Sequence, residues 1–152
     1  LKLNLPLAGE IWLKYQVAQF SRMLATLLTG GIPLLPALET ASESFGSALV
    51  RQALAVASRA VREGRPLSGG LRESGFVPDL AVEMIEVGES TGALPQMLAS
   101  VAEFYEEDVN TRLQAALTLI EPAILIFMGT VVAFVLVSLY LPIFSLAERM
   151  QG

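Results

Sequence analysis

The chain has 152 residues, of which 53% are hydrophobic, and its 10 basic and 15 acidic side chains give a net charge of −5. A negative protein is repelled by phosphate backbones, so nucleic acid is not expected as a partner. The absence of both cysteine and histidine excludes disulfides, thiolate nucleophiles, imidazole bases and the common zinc sites, and we therefore expect neither an enzyme nor a cofactor or metal site.

Two helices are predicted in the first third of the chain. Apolar residues recur at spacings of four and three over residues 10–29, which is the pattern of an amphipathic helix. The apolar stripe consists of Leu13, Val17, Phe20, Leu24 and Leu27. Gly30 and Gly31 end this helix. The fixed φ of Pro33 suits the first turn of a second helix, which Gly46 ends.

Three shorter helices follow. The third stops at Gly64, the fourth runs from Pro66 to about residue 74, and the fifth begins at Pro78 and ends near Gly88. The apolar face of the third is predicted to comprise Leu49, Ala53, Val56 and Ala60. The inward residues of the fifth are predicted to be Leu80, Met84 and Val87.

The sixth helix begins near Leu94 and continues into an apolar run. Residues 122–147 carry no charged side chain, and about 21 helical residues at a rise of about 1.5 Å cross the hydrocarbon core of a bilayer. A buried helix of a soluble protein seldom needs an apolar surface all the way round. No segment alternates with period two. We therefore predict an all-α fold, a six-helix antiparallel bundle whose last helix becomes a single transmembrane helix with a kink at Pro122.

Six short motifs lie between these helices or within the sixth. They are residues 31–35 (GIPLL), 64–68 (GRPLS), 88–94 (GESTGAL), 104–107 (FYEE), 121–122 (EP) and 140–144 (YLPIF). In this order and spacing they resemble the type II secretion F domain family. The motif residues expected to have structural or interface roles are Gly31, Pro33, Gly64, Leu67, Ser68, Gly88, Glu89, Thr91, Gly92, Leu94, Tyr105, Glu121, Pro122 and Pro142. Gly69-Gly70 departs from the family pattern, which predicts a less rigid fourth helix.

Members of this family are inner-membrane platform proteins of type II secretion and type IV pilus machines. The resemblance implies that the chain corresponds to the second cytoplasmic domain and the last transmembrane helix. The implied partners are a cytoplasmic assembly ATPase, pilins or pseudopilins, and other inner-membrane assembly subunits. A homo-oligomer is also expected, and the spacing of Gly129 and Ala133 would let a second membrane helix approach closely. The alternative is a single-span subunit of another transporter or channel complex.

The expected organisation has four parts. Residues 1–9 form a juxtamembrane linker, residues 10–115 the cytoplasmic bundle, residues 116–147 the transmembrane helix and residues 148–152 a short tail. The bundle is expected on the cytoplasmic side of the bacterial inner membrane, as the resemblance implies.

The motif at residues 88–94 is predicted to form a turn. Gly88 and Gly92 allow backbone angles closed to other residues, and the hydroxyl of Ser90 or Thr91 is placed to cap the sixth helix. Glu89 has two interpretations, since its carboxylate can accept backbone N–H groups or face a partner. The turn explains the glycines without any ligand, and no lysine follows as a phosphate-binding loop requires.

Two groups of charged residues have alternative interpretations. The carboxylates Glu83, Glu86 and Glu89, with Glu103, Glu106, Glu107 and Asp108, form either a solvated surface or a site for a hard cation or a partner. The arginines Arg51, Arg59, Arg62 and Arg65, with Arg72 beyond them, form either an ordinary exposed face or a contact with an acidic surface on a cytoplasmic motor.

Overall fold

The computed structural model describes residues 4–152, with side chains from residue 8 onward. In this part of the chain there are six helices and no strand, as predicted. The helices are α1 (Asn4–Thr29), α2 (Leu34–Ser44), α3 (Ala48–Arg62), α4 (Leu67–Ser74), α5 (Asp79–Thr91) and α6 (Leu94–Gln151). The chain divides into two compact units, the first ending at Asn110 and the second comprising Thr111–Gly152.

Two helix boundaries differ from those predicted. Helix α1 begins at Asn4 rather than near residue 10, so residues 4–9 of the expected linker are helical, and residues 1–3 lie outside the described part. Helix α5 continues past Gly88 to Thr91, because the first positive φ in this region, +74°, occurs at Gly92. Helix α6 contains both Pro122 and Pro142, and the kink expected at Pro122 stays a prediction.

The core of the first unit comes from all six helices. The predicted stripe of α1 is confirmed, since Val17, Phe20 and Leu24 are buried. The largest fully buried side chains include Phe20, Leu24, Leu38, Leu54, Leu67, Leu71, Ile85 and Leu98. Burying one such side chain contributes about 1.5–3 kcal/mol, so this apolar contact surface is the main stabilising term.

The buried faces of α3 and α5 agree only in part with those predicted: Ala53 and Ala60 of α3 are buried and Met84 of α5 packs against the core. Leu49 of α3 is 61% exposed, whereas its buried residues are Val50, Ala53, Leu54, Ala57, Ser58 and Ala60. In α5 the buried residues are Ala81, Val82, Ile85 and Gly88, and the predicted inward residues Leu80 and Val87 are exposed. In α5 the buried stripe is the one with the smaller residues, which permits closer packing, whereas in α3 the buried face is shifted from Leu49 towards Val50 and Leu54.

Helix α4 packs very closely on α3. A Cβ added at Gly70 would lie 2.8 Å from the Ala60 Cβ and 2.9 Å from the Ala57 Cα, distances that real Cβ contacts do not reach. The adjacent Gly69 differs, because its Cβ would meet the Pro66 ring at 3.7 Å, an ordinary contact. Thus the second glycine of the pair is required by the α3–α4 contact, whereas the first is not.

Alanine substitutions at these two glycines should have opposite effects. Gly70→Ala overpacks the α3–α4 contact and should lower the free energy of unfolding by about 1–3 kcal/mol. Gly69→Ala should raise it by up to about 1 kcal/mol, because alanine is the better helix former. Thermal unfolding of both variants in detergent, followed by circular dichroism, measures the difference. Equal shifts of the melting temperature in the same direction would contradict the close contact.

Candidate functional site

A carboxylate of α5 caps the N-terminus of α4. The two carboxylate oxygens of Glu89 accept hydrogen bonds from the backbone N–H groups of Leu67, at 2.9 Å, and Ser68, at 2.8 Å. Pro66, the residue at the N-cap position, makes no side-chain cap bond. Glu89 therefore satisfies two N–H groups that would otherwise lack partners, and its charge opposes the positive end of the helix dipole. Of the two interpretations of Glu89, the backbone acceptor is the one found.

The neighbouring Gly88 allows α6 to pack against α5. A Cβ at Gly88 would lie 2.8 Å from the Met97 Cβ and 3.1 Å from the Leu94 Cα. At the end of α5, Gly92 adopts the left-handed conformation, and the Ala93 N–H donates to the Gly88 carbonyl at 2.9 Å. The motif at residues 88–94 is thus a structural junction, as predicted, although Gly88 acts through close packing rather than through a special φ.

The predicted capping of α6 by a hydroxyl of this motif is wrong. Thr91 Oγ1 donates to the Val87 carbonyl at 2.8 Å, and Ser90 Oγ donates to the same oxygen at 3.1 Å. Such bonds, from a serine or threonine hydroxyl to the carbonyl three or four residues earlier, stay within one helix. Their hydroxyls therefore bond within α5 and do not cap the N-terminus of α6.

The other glycine–proline motifs form helix junctions. Gly31 and Gly64 have φ values of +90° and +83°, and Pro33 and Pro66 occupy the N-cap positions of the helices that follow. Leu67 is fully buried, and Ser68 nearly so. Because a side chain at positive φ is strained, the two glycines fix where α1 and α3 end.

Tyr105 contacts the first turn of α5. It is 3% exposed, forms a hydrogen bond with the backbone of Ala81, and lies edge-on to Phe104 with ring centroids 5.2 Å apart. Burial raises the pKa of Tyr105, and the charge of Asp108 raises it further, while the bond to Ala81 acts in the opposite direction. The phenol is therefore held in its neutral form.

Four of the seven predicted acidic residues make specific contacts. Glu106 pairs with Arg22 at 2.9 Å, Asp108 with Lys14 at 2.7 Å, and Glu86 with Arg72 at 3.3 Å, while Glu89 forms the α4 cap. The hydrogen bond to Glu106 raises the pKa of Arg22. Among residues 4–152 no cluster of three potential metal ligands occurs. These acidic groups thus hold α6 to α1 and α5 to α4.

The predicted arginine surface also contains residues that form ion pairs and residues that do not. Arg62 pairs with Glu39 at 3.1 Å, and Arg65 pairs with Glu63 at 2.9 Å and Glu73 at 2.8 Å. Hydrogen bonds to Glu73 and then Glu63 raise the pKa of Arg65. Arg51 and Arg59 are exposed and make no ion pair with the described residues. The arginine contact with an acidic motor surface stays a prediction.

Helix α6 is long and apolar enough to cross a membrane, and no side chain of its apolar window is buried. Its polar hydroxyls bond to their own helix: Thr130 Oγ1 donates to the Ile126 carbonyl at 2.8 Å, and Ser138 Oγ to the Phe134 carbonyl at 2.9 Å. The other motif residues of this region, Glu121, Pro122 and Pro142, are exposed. The space beside Gly129 is open, and dimerisation there stays a prediction.

Comparison with known proteins finds relatives of this chain by sequence. The family described as Type II secretion system (T2SS), protein F, matches residues 20–142. The type IV pilus assembly protein PilC of Myxococcus xanthus is 38% identical over 149 residues, which are 98% of this chain and 36% of that protein. The type II secretion system protein F of Pseudomonas aeruginosa is 38% identical over 146 residues, 96% of this chain and 36% of that protein.

A third relative is more distant. The protein transport protein HofC homolog of Escherichia coli is 28% identical over 152 residues, 100% of this chain and 38% of that protein. The chain therefore spans between a third and two fifths of the length of these three curated relatives.

Removal of the α4 cap should destabilise the first unit. Glu89→Ala leaves two backbone N–H groups without an acceptor and should lower the free energy of unfolding by about 1–3 kcal/mol. Glu89→Gln keeps one acceptor oxygen and should cost less. The control is Glu83→Ala, an exposed position of the same helix, which should change stability by less than about 0.5 kcal/mol. Urea unfolding followed by circular dichroism compares the three, and equal effects at residues 83 and 89 would exclude the capping role.

Tyr105 should make the fold sensitive to alkali. Because its pKa is raised in the folded protein, the unfolded chain loses this proton first, at about pH 10, and the folded state binds more protons above that pH. Stability should therefore fall as the pH rises from about 9 to 11. Tyr105→Phe should show a shallower fall in melting temperature over that range. Parallel profiles for the two proteins would show that Tyr105 does not contribute.

Proposed function

Since the chain belongs to the type II secretion system protein F family, we propose that it is part of an inner-membrane platform subunit of a type II secretion or type IV pilus machine. The family match extends over most of the chain, and relatives named for both kinds of machine are equally similar to it. In this role the protein is a scaffold without catalytic activity. The described contacts of its acidic and aromatic motif residues join helices to one another, which is what a scaffold requires.

The observation that carries this proposal is the continuity of α6. Within the first unit, Leu98, Val101 and Tyr105 pack α6 into the core, and the same helix continues to Gln151 through the apolar run. A continuous helix transmits displacement or rotation, whereas a flexible linker does not. The proposed mechanism is that a cytoplasmic ATPase acts on the bundle and that α6 transmits the motion to pilin or pseudopilin subunits in the membrane.

The proposed topology follows from this mechanism. The bundle lies on the cytoplasmic side, and residues 116–147 cross the inner membrane, with a short tail after them. Glu121 then lies at the membrane boundary, where a carboxylate stays in the headgroup layer and avoids the hydrocarbon. Other inner-membrane assembly subunits and a second copy of the protein are the proposed neighbours of the span.

Interrupting α6 between the bundle and the apolar run tests transmission. Two glycines inserted between Thr111 and Arg112 should weaken the helix by about 1 kcal/mol each and rotate the downstream part by about 200°. In the intact protein we expect normal membrane levels, because the apolar run is unchanged, together with loss of piliation or secretion. Immunoblotting of membranes and an assay of pili or secreted protein measure the two outcomes.

The control is an insertion that preserves the helix and its facing. Seven residues rich in alanine rotate the downstream part by only about 20° and should be tolerated better. If the glycine insertion leaves assembly at the unmodified rate, transmission through α6 is excluded and the bundle acts only as a docking site.

A further inference from the structure

Helices α5 and α6 leave an apolar surface uncovered. Leu80 and Val87 of α5 are 45% and 51% exposed, and Phe104 of α6 is 46% exposed. Met84, between the two α5 residues, is half-buried. Large apolar side chains that share one exposed surface are typical of interaction sites.

The contacts between α5 and α6 place these residues along one groove. Gly88 packs on Met97, and Tyr105 reaches Ala81, so the two helices run antiparallel in a fixed register. Leu80, Met84 and Val87 recur at spacings of four and three, and Met84 lies one turn from Gly88 on the side of α5 that adjoins α6. Phe104 follows Met97 by seven residues and shares its face of α6. We call the surface formed by Leu80, Met84, Val87 and Phe104 the α5–α6 groove.

The groove lies in a strongly acidic part of the chain. Residues 79–110 contain eight acidic side chains and no lysine or arginine. Four of the eight are engaged in the contacts described above, namely Glu86, Glu89, Glu106 and Asp108. The remaining four, Asp79, Glu83, Glu103 and Glu107, are exposed and form no ion pair with the described residues.

Two of these four carboxylates border the groove. Glu83 lies within one turn of both Leu80 and Val87 on α5, and Glu107 lies one turn after Phe104 on α6. Glu103 lies on the other side of Phe104, where its charge acts on Arg22 of α1. The apolar groove therefore has uncompensated negative charge along both edges. A ligand that binds here must present an apolar stripe flanked by positive charge.

From this arrangement we propose that the α5–α6 groove binds a basic amphipathic helix of a partner protein. A helix laid between two antiparallel helices inserts apolar residues at spacings of three and four, and its flanking lysines or arginines meet the carboxylates on the two edges. The flexible side chain of Met84 suits such an adaptable contact. The same charges disfavour anionic lipid and a second copy of the groove, because both are negative.

This inference goes beyond the platform role by giving the chemistry of one contact. Its test measures binding in the purified protein, independently of secretion or pilus assembly. A failure therefore removes the groove proposal and leaves the platform role as it stands.

A fluorescent reporter beside the groove provides the test. The chain has no cysteine, so Ser100→Cys can be labelled at a single exposed position next to Phe104 on α6. The labelled chain, held in phosphatidylcholine nanodiscs, is titrated with a synthetic helix of about 18 residues that has leucines at helical spacing and lysines elsewhere. A matched peptide has glutamate in place of lysine. We expect saturable binding of the basic peptide, weakened by salt, and no binding of the acidic one.

Matched variants locate the binding surface. Leu80→Ser with Val87→Ser should weaken binding about tenfold or more, whereas Leu49→Ser, at a more exposed leucine on α3, should not change it. Glu83→Lys should weaken binding about threefold, and Glu43→Lys on α2 should have a smaller effect. All variants are measured in the same phosphatidylcholine nanodiscs, so that any binding of the peptide to lipid is the same for each.

Two results would overturn the proposal. The first is that the basic peptide fails to bind, or binds equally well to the Leu80→Ser/Val87→Ser and unmodified proteins. The second is that the groove is occupied by another copy of the chain. In that case Val87→Cys would form disulfide-linked dimers in the nanodiscs, and the peptide would not reduce them.

Discussion

The N-terminus of α4 is held by one carboxylate from another helix. With eight residues, α4 is too short to be stable alone, and neither Pro66 nor a hydroxyl caps it. Glu89 supplies the missing acceptor across 22 residues of sequence, and the absence of a side chain at Gly70 lets α3 approach from the other side. The position of α4 thus depends on helices before and after it. Since α4 lies between α3 and α5, the packing of the middle of the bundle depends on this cap.

Adjacent residues of α5 connect it to two different helices. Gly88 contacts α6 through Met97, and Glu89 bonds to α4. Because neighbouring residues on a helix point about 100° apart, one short segment fixes the position of α5 against both neighbours. The ion pairs Arg22–Glu106 and Lys14–Asp108 then join α6 to α1, at the opposite end of the sequence. The unit therefore combines packing between consecutive helices with a few ion pairs between segments far apart in the chain.

The sequence predicted the helices and the stripe of α1 because both depend on local patterns of apolar residues, glycine and proline. It predicted only part of the buried faces of α3 and α5, since these depend on where the neighbouring helices lie. It identified Glu89 as a backbone acceptor but not its donors on α4, which are 21 and 22 residues away. The sequence also did not predict that Gly70 is required. From sequence alone a glycine in a helix only lowers helix stability, and the requirement follows from the close contact with Ala57 and Ala60.

The hydroxyls of the apolar part of α6 have a consequence for its freedom of movement. Thr130 and Ser138 bond to carbonyls of their own helix, so these polar groups do not require a fixed neighbour. The apolar surface around them is similar in every direction, because valine, leucine, isoleucine and phenylalanine are distributed all round the helix. Turning such a helix about its axis changes little in its solvation by lipid. In a bilayer, solvation by lipid alone would therefore give this helix no preferred orientation about its axis, so that its facing would be set by protein contacts.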